Sequence, residues 1–133
     1  MTGFLRSYTD IRTTDGRDAT LLTPVVFQRP DSVGGEIITM PAGSRTDGAS
    51  IPEPAWSLGF APFGPYWLAC VLHDGCYRGS TRPVIDNRDE ADLILWEAMI
   101  SLGVYESIAK TIYNAVRQFG QSAWDADRRI QNA

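Results

Sequence analysis

In the second half of the chain, apolar positions recur at the three- and four-residue spacing of a helix face. In the first half they fall in short runs bounded by turn residues. Tyr105, Ile108, Ala109, Ile112, Val116 and Phe119 trace one stripe, which predicts a helix from about Val104 to Phe119 with Gly120 as its stop. Leu95, Trp96, Met99 and Leu102 trace another, which predicts a helix from about Asn87 to Leu102. Its first turn is acidic (Asp89, Glu90), and Gly103 ends it. A helix before these runs from about Pro65 to Arg78, with proline in the first turn and Gly79 past the end. Upstream, Leu21 to Phe27 reads as a strand that Pro24 forces to an edge or a bulge. Glu36 to Met40 reads as the next strand, pairing with the first as a hairpin across the turn-rich Gln28 to Gly35. Ile11 to Thr13 adds a short strand with Asp15-Gly16 as its turn, and Pro41 to Gly43 ends the β region. Strands first and helices after predict an α+β fold. It comprises a small N-terminal antiparallel β region, two antiparallel helices that bear the site, and a third packing helix. We divide one domain, residues 1–133, into a β-rich part (1–45), loops (46–64), three helices (65–120) and a polar tail (121–133).

One carboxylate breaks the apolar pattern. Asp92 lies at the N-terminal end of the face formed by Leu95, Trp96, Met99 and Leu102, three, four, seven and ten residues before them. A carboxylate on a buried face needs partners, because unpaired burial is costly. The preceding helix offers His73, the chain's single histidine, and Tyr77; at i and i+4 they share a face. The short connection from Gly79 to Asp86 packs the two helices antiparallel. A His73–Asp92 pair follows, with Tyr77 also donating to Asp92. A carboxylate on one imidazole nitrogen fixes the tautomer and leaves the other nitrogen as a general base. Asp74 sits about 100° round the helix from His73, placed to hold a hard cation beside the same cleft. The other reading of these residues is a buried His–Asp–Tyr network that only locks two helices together.

Composition narrows the field. At 133 residues the chain is long enough to bury a core without staples. A formal net charge of −4 argues against nucleic-acid binding through a basic surface. Cys70 and Cys76 lie about 9 Å apart along one predicted helix, too far for a disulfide. They read as free buried thiols of a protein folded in a reducing cytosol, and without a C-x-x-C spacing they make no zinc site. No apolar run reaches the ~20 residues of a membrane span, and Met1 to Asp10 does not read as a signal peptide.

The stretch His73-Asp74-Gly75-Cys76-Tyr77 resembles the His-Asp-x-Cys-Tyr motif of phospholipases A₂. Ala91-Asp92 resembles the partner carboxylate on the next helix, most closely in the disulfide-free form found in parvovirus capsids. The resemblance implies that His73 deprotonates a water attacking an ester carbonyl, Asp92 orients His73, and Tyr77 braces Asp92. It further implies that Asp74 binds Ca²⁺, which stabilises the oxyanion. Remaining calcium ligands would be backbone carbonyls of a glycine-rich loop. Gly59 to Gly64 lacks the close Gly-x-Gly arrangement of that loop. Thr46 to Ser50 is its rival, where Asp47 either offers a ligand oxygen or makes an Asx turn before Gly48. Ser50 reads as a capping hydroxyl, with no second histidine to activate it. Arg78 and Arg88 at helix ends have two roles open, binding a phosphate headgroup or forming helix-end salt bridges. Trp56, Phe60, Phe63 and Trp67 crowd a Pro/Gly loop, facing an acyl chain or membrane interface, a partner subunit, or the core.

A second resemblance covers about residues 36–120. Met40-Pro41-Ala42-Gly43, Thr46-Asp47-Gly48-Ala49-Ser50-Ile51-Pro52, His73-Asp74, Tyr77-Arg78, Arg88, Ala91-Asp92, Glu97-Ala98-Met99 and Val116-Arg117 are similar to an uncharacterised family encoded by tailed bacteriophages and prophages. This implies a phage origin, synthesis in the host cytoplasm, incorporation in the virion tail, and other tail or virion proteins as partners. Two functions are expected. One is a calcium-dependent hydrolase of phospholipase A₂ type acting on host envelope lipid, or on cell-wall or capsule esters or amides. The other is a non-catalytic tail or tail-tip component.

Overall fold

The computed structural model describes residues 2–6, 8–16, 18–47, 53–61 and 63–132. Its N-terminal half forms two three-stranded antiparallel sheets, and its C-terminal half four helices, an α+β architecture. Strands β1 (Gly3–Phe4), β4 (Val25–Gln28) and β5 (Ile37–Met40) make one sheet in the order β1-β4-β5. Strands β2 (Ile11–Thr13), β3 (Ala19–Leu21) and β6 (Arg45–Thr46) make the other, in the order β2-β3-β6. The expected hairpin is present, with Val25 opposite Met40 and Gln28 opposite Ile37. The expected single strand from Leu21 to Phe27 is not. Leu21 belongs to one sheet and Val25 to the other, and the chain switches between them at Thr23-Pro24. Proline has no N–H to give a ladder, so the pairing breaks where it stands. The β region also extends past Gly43 to Arg45–Thr46, two residues too few to show any alternation.

Helix α1 is Trp67–Arg78, α2 is Arg88–Ser101 and α3 is Glu106–Phe119. Gly79 ends α1 in the left-handed region at φ 72°, returning its N–H to the last carbonyls. Asn87 caps α2, its side chain accepting from the Glu90 N–H at 3.2 Å. The expected polar tail is instead a fourth helix, α4, at Gln121–Asn132. Its residues look solvent-bound in isolation because it is anchored at only a few points. Trp124 meets the ring of Tyr77 edge-on, with centroids 5.2 Å apart. Arg128 lies 4.1 Å over the Trp124 ring and donates to the carbonyls of Cys76, Tyr77 and Ile85. The bonds to Cys76 and Tyr77 reach carbonyls in the last turn of α1, where helix geometry leaves acceptors to be satisfied from outside, and the bond to Ile85 ties the α1–α2 connection to α4.

Helix α1 is the hub. Every residue from Trp67 to Tyr77 is buried. Met40 of β5 packs so close that a Cβ on Gly75 would come within 2.6 Å of it. On its other sides α1 meets α2 and α4. Tyr77, late in α1, reaches Arg88 at the start of α2, and His73, one turn earlier, reaches Asp92, one turn later. That order makes the two helices antiparallel. Among the described residues no helix is long and apolar enough to cross a membrane.

A buried ion cluster fastens the sheet to α2. Arg29 follows β4 and is 4% exposed. It grips Glu97 through two bonds, Nε to Oε1 at 2.8 Å and Nη2 to Oε2 at 3.0 Å, and reaches Glu90 at 2.7 Å. Truncating one partner of a buried pair strands the other charge. We therefore expect Glu97→Ala to cost about 3–5 kcal/mol in urea unfolding. A loss under about 1 kcal/mol would mean that the more exposed Glu90 suffices for Arg29.

Candidate functional site

The structure brings His73, Tyr77 and Asp92 together, all three fully buried. Asp92 Oδ1 lies 2.8 Å from His73 Nε2 and accepts from the Tyr77 hydroxyl at 2.7 Å. The Tyr77 oxygen in turn accepts from Arg88 Nε at 3.3 Å. The carboxylate's other oxygen, Oδ2, accepts from Arg117 Nη1 at 2.6 Å, with Arg88 Nη2 at 3.6 Å. Arg117 also holds Asp89, and Arg88 also donates to the carbonyls of Val116 and Arg117 at the end of α3. The dyad is thus clamped by three helices. Where α3 passes into α4, a Cβ on Gly120 would stand 2.7 Å from the Tyr77 hydroxyl, so the junction is a glycine.

Burial works against a charge on Asp92. Hydrogen bonds from His73 and Tyr77, with the Arg117 guanidinium behind them, outweigh it and hold the carboxyl below its ordinary range. An ionised Asp92 accepts, so His73 Nε2 donates, and in the neutral ring the lone pair is then on Nδ1. Nδ1 is buried and has no hydrogen-bond partner among the described residues. Burial and the neighbouring Asp92 push the Tyr77 phenol up, which keeps it a donor. Burial pushes Cys70 and Cys76 each up to about 12, so both free thiols are inert packing groups.

Asp74 and Asp47 also meet, but around a cation of the chain's own. Arg78 Nε donates to Asp74 Oδ1 at 3.2 Å and lies 3.1 Å from Oδ2, which takes no well-directed bond. Arg78 Nη2 is 3.4 Å from Asp47 Oδ2. Burial pushes the Asp74 carboxyl up, while Arg78 and a hydrogen bond from Thr46 pull it back. Asp127 of α4 shares this field: burial pushes it up and Arg78 draws it down. Among the described residues no three His, Cys, Asp or Glu side chains converge to hold a metal ion. With a guanidinium between them, Asp47 and Asp74 as arranged do not fit Ca²⁺. The rest of the rival loop, including Gly48 and Ser50, lies outside the described residues.

Arg78 and Arg88 each make salt bridges, Arg78 to Asp74 and Asp47 and Arg88 to Asp92. The aromatic loop divides. Phe60 and Trp67 are core residues, Trp56 is half-buried, and Phe63 is exposed with its ring 4.8 Å from that of Trp67. Phe63, Pro65, Trp67 and Leu68 face Tyr8 and Ile11 across an apolar groove of about 300 Å³ at the start of α1. Sequence reasoning missed Arg117 and Asp127 as members of the site. The signal for Arg117 is its place in the Val116-Arg117 pair of the family resemblance, and Asp127 leaves none.

A family model described as a protein of unknown function (DUF1353) matches residues 19–116, which takes in His73, Asp74, Tyr77 and Asp92. The chain is 34% identical over 94 residues to the uncharacterized protein y4jT of Sinorhizobium fredii. That alignment covers 70% of this chain and 26% of y4jT, so the chain spans about a quarter of the relative's length. No solved structure matches.

Proposed function

This chain belongs to the DUF1353 family, and from the geometry of its central helix pair we propose that it is a hydrolase that activates water with the His73–Asp92 dyad. The observation that carries this reading is Nδ1 of His73, buried and without a hydrogen-bond partner among the described residues. A buried polar atom without a partner costs about 1–3 kcal/mol, and such atoms call for a reason. Here Nε2 is committed to Asp92, so Nδ1 is oriented and free to accept a proton. In the proposed step Nδ1 takes a proton from water while the water oxygen bonds to an ester carbonyl carbon, and the C=O electron pair moves to the oxygen. When that pair returns, the bond to the leaving alkoxide breaks and the imidazolium gives the alkoxide its proton. Asp92 and Tyr77 keep the ring in place throughout. The likeness to phospholipases A₂ supports a lipid ester as substrate; the apolar groove at the start of α1 is lined by none of His73, Tyr77 and Asp92 and lends this reading no support.

A second reading is favoured by a specific observation. His73 is wholly buried, and Asp92 is tied by groups from three helices, as in a network that braces a scaffold. In this reading the chain is a structural component. The likeness of residues 36–120 to phage-encoded proteins supports a place in a virion tail under either reading. Acyl release from mixed phospholipid vesicles and from small chromogenic esters tests the choice, with calcium or chelator and with His73→Ala alongside. Release that disappears in a folded His73→Ala variant supports the hydrolase. No release from any ester by folded wild type leaves the brace.

A further inference from the structure

Arg78 occupies an unusual position for a lone guanidinium. It bonds Asp74 of its own helix, pairs with Asp47 after β6, and feels Asp127 from α4. Two carboxylates from separate segments thus pair with one guanidinium, and Asp127 feels both it and Arg128. Asp74 is 3% exposed, and a charge buried to that extent needs a counter-charge at hand. Arg78 supplies it from the last turn of α1, where the helix dipole also favours a positive group.

We infer that Arg78 is the resident cation of this acidic cluster and fills the place that the phospholipase resemblance gives to a calcium ion. A dication needs six to eight oxygens at about 2.3–2.6 Å. Asp47 and Asp74 offer theirs to a guanidinium at 3.1–3.4 Å instead. A second cation brought between them would meet like-charge repulsion at about 4 Å. Unlike a bound ion, Arg78 is tethered and does not wash out. It has five N–H donors, and about a third of its side chain remains open to solvent (34% exposed). Among the described residues its other donors are open to an anionic oxygen, one residue on from Tyr77. The binding role rests on the hydrolase reading, whereas the claim that Arg78 displaces calcium does not.

The test separates the two. Thermal unfolding of the full chain is compared in EDTA and in about 10 mM CaCl₂ for wild type, Arg78→Lys and Arg78→Gln. Wild type and Arg78→Lys are expected to shift by less than about 1 °C. Arg78→Gln, in which Asp47 and Asp74 lose the guanidinium between them, is expected to gain about 3 °C or more in calcium. An equal gain in wild type, or none in a folded Arg78→Gln, overturns the inference. If Arg78→Gln does not fold, calcium titration calorimetry of wild type beside Asp74→Asn decides: heat of binding lost in Asp74→Asn overturns the proposal, and no heat in wild type upholds it. In the activity arm, wild-type ester hydrolysis is expected to be unchanged by chelator, and Arg78→Gln to lower it about 100-fold. Hydrolysis abolished by chelator refutes the inference. If wild type hydrolyses nothing, the dyad reading fails and the calcium arm still settles the role of Arg78.

Discussion

Asp92→Asn is expected to lower the stability of the fold by about 3–5 kcal/mol near pH 7, a large part of the ~5–15 kcal/mol that holds a domain together. The substitution keeps the shape and removes one acceptor. Asp92 receives His73 and Tyr77 on Oδ1 and Arg117 on Oδ2, so both oxygens must accept. An asparagine has one oxygen and one NH₂ group. Whichever way it turns, the NH₂ faces a donor, either the guanidinium at 2.6 Å or the tyrosine and imidazole at 2.7–2.8 Å. The charge lost also leaves the half-buried Arg117 with only the exposed Asp89. The pH dependence has a definite sign. The folded carboxyl of Asp92 lies below its unfolded value, so its contribution is present above about pH 4 and is lost as pH falls through the folded value. Urea unfolding of wild type and Asp92→Asn from pH 3 to pH 7 should therefore show a gap that is widest near neutrality and narrows in acid. Asp74 has the opposite sign. Its folded carboxyl is raised, so its contribution is complete in acid and is lost as pH rises through the folded value. A gap for Asp92→Asn below about 1 kcal/mol at pH 7 would mean that the three-helix clamp does not depend on that charge.

Much of this site could be read from local spacing, because local spacing is what built it. His73 and Tyr77 share a face by helix geometry, and Asp92 declares itself as the polar break in an apolar stripe. The short connection between the helices then leaves one sensible pairing, which the structure contains. The pair Asp74–Arg78 was equally local, at the i,i+4 spacing with acid before base. Taken singly, Asp74 suggests a metal ligand and Arg78 either a headgroup ligand or a helix-end salt bridge; only their spacing taken together names the pair. Arg117 and Asp127 were hidden for a different reason. Each stands on a helix whose return to α1 and α2 is set by tertiary packing, 25 residues from Asp92 in the case of Arg117. The same holds for α4: its docking rests on Trp124 and Arg128, and two anchors among polar residues give no periodic stripe. The division of the β region into two sheets turns on Pro24: within one strand it signals an edge or a bulge, and no local feature shows that the chain crosses there to a second sheet.

His73→Ala is the substitution with the largest expected effect on chemistry. If Nδ1 is the general base, removing it should lower kcat for ester hydrolysis by about 10²–10⁴-fold and leave KM nearly unchanged, since the imidazole acts on water and not on the bound acyl group. The acid limb of the wild-type rate profile, where the base takes up its proton, should flatten in the variant. Added imidazole should restore part of the rate, because the vacated space lies between Asp92 and the ring of Tyr77, 4.4 Å from that of His73. The expected stability cost is smaller, about 1–3 kcal/mol, since Asp92 keeps Tyr77 and Arg117 when the imidazole goes. The brace reading predicts the reverse ordering: a folded wild type inert toward every ester tried, and a His73→Ala variant destabilised as severely as Asp92→Asn. Measuring kcat and unfolding free energy on the same preparations distinguishes them. A site kept for chemistry spends a buried nitrogen on a proton it must move, whereas a site kept for bracing gains nothing from a Nδ1 that has no partner among the described residues.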